Sequence, residues 1–198
     1  YDDKTASRRQ FIKTTATLAG GALATSALAT PAAVYAAGSD LLKVGLIGCG
    51  GRGSGAAKQA LLADKNVKLT AMADAFEDRL TLSLKTLSAS DELSGKIDVP
   101  TDRQFVGFDA YKQVLATDVD VVLLTTPPQF RPIHLKAAVE AEKHVFAEKP
   151  VAVDAPGVRS VLKSCAEARR KQLSVVSGLC LRYDAGFRET VGRLHDGA

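Results

Sequence analysis

From residue 42 onward two hydrophobic patterns alternate along the chain. Short continuous runs of Val, Ile, Leu and Ala occupy residues 43–47, 67–73, 119–124 and 143–147, and a weaker one spans 173–180. Continuous rather than alternating runs of this length predict strands buried on both faces, as in a parallel sheet. Between them, apolar positions recur at helical spacing: Ala56, Ala57, Ala60, Leu61 and Leu62; Phe76, Leu80, Leu84 and Leu87; Tyr111, Val114 and Leu115. Two more helices are predicted over 134–142 and 154–171, the second with Val158, Val161, Leu162, Cys165 and Ala168 on one face and Arg169, Arg170 and Lys171 at its C-terminus, where cations suit the helix dipole. Residues 184–195 read as a last helix. Residues 90–107 are polar, carry Gly95 and Pro100, and read as a long loop with one short strand near Phe105; Asp109 is the expected N-cap of the helix that follows. Pro127 and Pro128 stop the strand before them. Strands alternating with helices in this way predict an α/β fold, a doubly wound, mostly parallel sheet of Rossmann type.

The first strand runs straight into Gly48-Cys49-Gly50-Gly51-Arg52-Gly53 and then a helix. Gly48, Gly50 and Gly53 stand in the G-x-G-x-x-G register of a dinucleotide fold, with Gly51 and Arg52 inside the same phosphate-facing turn. The first glycine permits the turn, the second lets backbone approach a pyrophosphate, and the third lets helix and strand pack closely. Phosphate would sit on the unpaired N–H groups at the helix start. Roughly 20 residues on, the second strand ends in Asp74, where a carboxylate accepts hydrogen bonds from the adenosine ribose and repels a 2′-phosphate. NAD is therefore the expected cofactor, NADP the less favoured one, although Arg79 lies nearby. In such sheets ligands lie beyond the carboxyl ends of the strands. Two further motifs end strands here, Thr125-Thr126-Pro127-Pro128 and Glu148-Lys149-Pro150.

Residues 1–36 read as a leader. Ser7-Arg8-Arg9-Gln10-Phe11-Ile12-Lys13 is a twin-arginine block, followed by a weakly apolar middle and small residues up to Ala36, the expected cleavage point. The pattern resembles the signal of the twin-arginine export route, which implies a periplasmic or exported protein, the export machinery as a partner, and a dinucleotide loaded before export and kept through turnover. Of the net charge of +4, half lies in this leader, and the remainder is too scattered to argue for nucleic acid. Cys49, Cys165 and Cys180 show neither a disulfide framework nor a metal-ligand spacing. They read as small apolar fillers, with Cys49 singled out because a thiol at a helix N-terminus can have its pKa lowered.

The glycine turn, Asp74, Thr126-Pro127-Pro128 with His134 downstream, and Glu148-Lys149-Pro150 together resemble the glucose-fructose oxidoreductase, inositol dehydrogenase and rhizopine-catabolism (Gfo/Idh/MocA) family. The resemblance runs from residue 42 to about residue 197. It implies a Rossmann domain over residues 40–181 and, from residue 182, the start of a second α/β domain that is largely missing from this chain. It implies that Lys149 points at nicotinamide and substrate as the catalytic residue, that Glu148 supports the nicotinamide ribose, that Thr126, Pro127 and Pro128 line the cofactor groove, and that His134 downstream is a further cofactor-binding residue. His134 has a plainer reading as a helix N-terminal residue bonded to backbone. The remaining catalytic groups, a sugar- or polyol-binding pocket and a homo-oligomer contact are implied for the second domain; Arg182 and Tyr183 follow the last strand and face substrate, core or an interface. The expected activity is NAD(P)-dependent oxidation or reduction of a sugar or polyol. Two alternatives stay open: NAD-dependent glycoside hydrolysis, and dinucleotide binding without catalysis.

Overall fold

The computed structural model describes residues 41–197; the leader and its twin-arginine block lie outside the described residues. Six strands form one parallel sheet: β1 (Leu42–Ile47), β2 (Val67–Asp74), β3 (Gln104–Val106), β4 (Val121–Leu124), β5 (His144–Ala147) and β6 (Val175–Ser177), in the order β3-β2-β1-β4-β5-β6. That order reverses direction between β1 and β4, which is the doubly wound arrangement that opens a crevice at their carboxyl ends. The helices are α1 (Gly51–Ala63), α2 (Glu77–Ser88), α3 (Ala110–Leu115), α4 (Arg131–Glu140), α5 (Ala155–Arg170), α6 (Cys180–Tyr183) and α7 (Ala185–His195).

Both faces of the sheet are covered because both sets of alternate side chains are apolar. Val44, Leu46, Leu69, Met72 and Leu123 point into one core with Ala56, Ala57 and Leu61 of α1 and Leu80 and Leu87 of α2. Ile47, Ala71, Ala73, Val122 and Leu124 point into the other, shared with α3, α4 and α5. In β1, Gly45 makes room for α3: a Cβ there would stand 2.6 Å from a methyl of Val114.

Several boundaries differ from the sequence reading. The segment expected as a long loop holds two 3-10 turns, Asp91–Leu93 and Thr101–Arg103, ahead of β3. Asp109 precedes α3 but makes no side-chain cap; its carboxylate pairs with Lys112 instead. Helix α4 begins at Arg131, three residues before His134, because Pro132 in the first turn lacks only an N–H the helix does not use there. On α5 the buried positions are Val161, Ser164 and Ala168, while Val158 and Leu162 are 45% and 64% exposed, which corrects the predicted face. Strand β6 is only three residues long and the chain turns into α6 at Cys180. Arg182 and Tyr183 lie on that short helix and are exposed, so core burial does not hold for either.

Candidate functional site

Beyond the strand ends, hydrogen bonds continue across the sheet and set the site residues side by side. Gly107 N–H donates to the Asp74 carbonyl (2.9 Å), Gly48 to Ala73 (2.8 Å), Thr125 to Ile47 (2.9 Å), Glu148 to Leu124 (3.0 Å) and Gly178 to Ala147 (2.8 Å). A row of residues from five separate strand-end loops is thereby held in register with the sheet. Over it lies a groove of about 910 Å³, lined among others by Gly50, Arg52, Asp74, Thr126, Glu148 and Lys149.

The glycine turn forms one wall. Gly48 has φ +101°, a left-handed conformation, and a Cβ there would strike the Thr126 amide at 2.6 Å. Gly53 faces inward rather than into the groove: a Cβ would stand 1.9 Å from the Gly48 carbonyl oxygen and 2.8 Å from the Thr125 hydroxyl, which itself donates to that carbonyl at 2.6 Å. Gly50 and Gly51 meet nothing within 4 Å. Gly50 is the N-cap of α1 and gives no side-chain cap, so the first amides of the helix are open to an anion.

Asp74 closes the turn. Its Oδ2 accepts the Cys49 N–H at 2.6 Å and its Oδ1 the Phe76 N–H at 3.0 Å, leaving further lone pairs toward the groove. Cys49 is a core filler as expected, without the lowered pKa that a helix start can give. Its thiol is buried, donates to the Ala73 carbonyl and lies beside Asp74; burial first and that carboxylate second push its pKa upward, out of reach of thiolate chemistry. The helix terminus does not prevail because the sulfur points into the core instead of along the helix axis.

At the other end, buried Glu148 holds Arg52 across from α1. The guanidinium Nε and Nη2 both reach Oε1, at 2.7 and 2.6 Å, while Oε2 takes only the Lys149 N–H at 3.2 Å. Gly178 lies against this carboxylate, and a Cβ there would come within 2.8 Å of Oε1. Lys149 is exposed and lines the groove.

His134 lies in the groove wall, buried, with Nδ1 3.1 Å from the Thr126 hydroxyl. Its side-chain partner is thus Thr126, not backbone. Burial, and then the charge of Arg131, lower its pKa to about 4, so the ring is neutral at physiological pH. The imidazole packs on Tyr111, ring centroids 4.3 Å apart, and stacks with Phe130 at 6.0 Å.

Sequence reasoning missed three groove residues. Phe108 and Phe130 carry an aromatic row from Phe76 to His134, with Phe76 and Phe108 exposed at the rim. Both follow strand ends, which was the available signal. Arg131, 2% exposed, donates through Nη1 to the Leu124 carbonyl, and no sequence pattern marks an arginine as buried.

Known proteins align with this arrangement. The inositol 2-dehydrogenase/D-chiro-inositol 3-dehydrogenase of Halalkalibacterium halodurans is 30% identical over 146 residues, covering 74% of this chain and 38% of that protein. A glycosyl hydrolase family 109 protein of Shewanella pealeana is 31% identical over 162 residues, covering 74% of this chain and 34% of that protein. The crystal structure of KijD10, a 3-ketoreductase from Actinomadura kijaniata in complex with TDP-benzene and NADP, superposes with a TM-score of 0.60 at 26% identity, over 80% of this chain and 45% of that one. The chain therefore spans less than half the length of these relatives. Residues 42–177 match the GFO_IDH_MocA model, described as the oxidoreductase family with NAD-binding Rossmann fold, and the chain belongs to that family.

Proposed function

We propose that this chain is the dinucleotide-binding part of an exported oxidoreductase that moves hydride between a carbinol carbon of a sugar or polyol and a tightly held nicotinamide cofactor, NAD in preference to NADP. The observation that carries the reading is the single groove that uncapped α1 amides, Asp74, Glu148 and Lys149 share along the strand ends. The residues fit such a cofactor, because the space a Cβ would fill at Gly50 and Gly51 is open. When bound, nicotinamide supplies the hydride chemistry that side chains lack.

Each residue then has a defined task. The amides from Gly51 to Gly53 hold the diphosphate, with Arg52 beside them, and Gly48 and Gly53 shape the turn that presents those amides. Asp74 accepts from the adenosine ribose and disfavours a 2′-phosphate; Arg79, on the same groove, opposes that preference without reversing it. Thr126, Pro127 and Pro128 form the wall that His134 braces through its bond to Thr126. Glu148 offers Oε2 to the ribose on the nicotinamide side. Lys149 holds the substrate oxygen and stabilises negative charge as it develops there.

Relatives more than twice as long support a second domain, beginning near residue 182, that completes the substrate pocket and the oligomer contact. The twin-arginine block supports export with the cofactor already loaded. A second reading, glycoside hydrolysis at the same groove, draws support from the Shewanella pealeana relative. Purified full-length protein should contain bound dinucleotide, form NADH with free inositols or other polyols, and lose turnover in Lys149→Ala while keeping the cofactor. Release of an aryl leaving group without net NADH would replace the first reading by the second, and protein that binds neither NAD nor NADP would overturn both.

A further inference from the structure

Arg52 stands in the glycine turn, yet every nitrogen of its guanidinium already has a partner within the protein. Nε donates to Glu148 Oε1 at 2.7 Å, Nη2 lies 2.6 Å from the same oxygen, and Nη1 donates to Gln59 Oε1 at 3.2 Å. Gln59 lies seven residues further along α1, about two turns of helix, so the side chain is steadied on its own element while it reaches to the end of β5. An arginine commonly grips a carboxylate with two parallel bonds, one to each oxygen. Here both contacts fall on Oε1, and Oε2 keeps only the Lys149 N–H at 3.2 Å.

Glu148 is buried, and Gly178 lies against its carboxylate. A Cβ at Gly178 would stand 2.8 Å from Oε1, 2.9 Å from Cδ and 3.0 Å from Oε2, so a side chain there would push the whole carboxylate aside. The Gly178 N–H donates to the Ala147 carbonyl at 2.8 Å, which holds this backbone beside the residue that precedes Glu148. Gly178 is not one of the glycines with positive φ, so what requires glycine at this position is the room that Glu148 occupies. The Arg52 side chain is about half exposed, and an ion pair screened by solvent on one side adds little to stability. Its consequence is geometric: it settles which oxygen of the carboxylate is taken and which is left over.

We propose that Arg52 and Gly178 are positioning residues for the cofactor: Arg52 occupies Oε1 of Glu148, Gly178 leaves the carboxylate its place, and Oε2 is thereby presented to the hydroxyl of the nicotinamide-side ribose. The inference rests on the assignment of Glu148 to that ribose. It gives the Arg52 side chain a task in the nicotinamide half of the dinucleotide, which ADP lacks, although the backbone of the same residue belongs to the diphosphate turn.

The test compares NAD and ADP binding by calorimetric titration in the full-length protein. Arg52→Gln removes both contacts on Oε1; it should weaken NAD about fivefold, the worth of one hydrogen bond, and leave ADP within about twofold. Arg52→Lys keeps a cation within reach of Oε1 and should bind NAD more tightly than Arg52→Gln does. Gly178→Ala displaces the same carboxylate without changing any charge and should show the same split between NAD and ADP. In the double variant Arg52→Gln with Glu148→Gln, the NAD loss should be no greater than in Glu148→Gln alone, because Arg52 acts through that carboxylate. Unchanged NAD affinity in Arg52→Gln or in Gly178→Ala overturns the inference, as do additive losses in the double variant. Equal loss of NAD and ADP in Arg52→Gln overturns it as well, by assigning the side chain to the diphosphate. Glu148→Gln separates this inference from the reading beneath it. If that variant leaves NAD affinity intact, the ribose assignment falls and the inference with it; if it weakens NAD while Arg52→Gln does not, the inference alone falls.

Discussion

A methyl group added at Gly53 would stand 1.9 Å from the Gly48 carbonyl oxygen, whereas one added at Gly50 would meet no atom within 4 Å. The two glycines of one turn therefore fail differently when replaced. Gly53→Ala forces α1 away from the β1 turn and should cost roughly 2 kcal/mol in urea unfolding, even after the helix-propensity gain of alanine. Gly50→Ala should change stability by less than about 1 kcal/mol, since its backbone is extended, with φ −70°, and the residue is only an N-cap. Its methyl enters the groove, so NAD affinity should fall roughly tenfold through a built-in clash. Equal stability loss in both variants would show that the turn does not discriminate between them. His134 supplies a second residue-level prediction. Its folded pKa of about 4 lies below the unfolded value of 6.5, so between those values the unfolded chain binds more protons and stability must fall as pH falls. The loss should approach about 3 kcal/mol across the window, reduced to the extent that the opened site takes up water. His134→Gln keeps an acceptor for Thr126 and removes the titration; urea midpoints measured from about pH 7 to about pH 4.5 should flatten in that variant. A slope unchanged by the substitution would place the acid sensitivity elsewhere. Asp118 is held at about 2 by hydrogen bonds from Lys43 and Arg103, and it titrates below this window.

Elements differ in how much of their behaviour is local. Asp154 caps α5 through an Oδ1 bond to the Gly157 N–H at 2.7 Å, and neither residue lines the groove. Asp154→Ala should lower stability by about 1 kcal/mol and leave dinucleotide affinity unchanged; a loss of affinity would show that α5 is coupled to the groove. The same contrast explains what could be read in the sequence. Strands β1, β2 and β4 announce themselves because they are buried on both faces, and the glycine turn and Asp74 follow directly from their strand ends. The row across Gly48, Asp74 and Glu148 was legible for that reason. The face of α5 was not, because its contact with α4 selects the small residues Ser164 and Ala168 over the bulkier Leu162, a choice made by the neighbouring helix. Arg131 and the Phe76, Phe108 and Phe130 row were equally hidden, since their meaning comes from loops that meet only once the sheet has formed. The raised pKa of Cys49 belongs to the same class: the sequence shows a helix start, and only the fold shows which way the sulfur points.

At the scale of the whole molecule, α6 and α7 contribute no buried residue, yet Leu181, Phe187, Val191 and Leu194 are 57%, 51%, 45% and 63% exposed. A run of large apolar side chains on consecutive elements is more than scattered surface hydrophobicity, and it is the face that the proposed second domain would cover. A second groove of about 720 Å³ runs along it, and Lys149 and Cys180 line both grooves. The face thus continues from the point where substrate would meet the cofactor, which is where the remainder of a polypeptide as long as the relatives would dock. Two serine substitutions separate this from a merely greasy helix. In a chain of residues 40–198, Phe187→Ser and Val191→Ser should leave the unfolding midpoint within about 2 °C of the parent, because neither side chain belongs to either core. In the full-length protein the same pair should lower the midpoint by several degrees, on the order of 1–3 kcal/mol for each buried apolar side chain removed, and should weaken polyol turnover more than NAD binding. If the full-length protein tolerates both substitutions as well as the shorter chain does, α7 is free surface and the substrate domain docks elsewhere. If the shorter chain is itself destabilised, α7 is part of the Rossmann unit and the domain boundary lies beyond it.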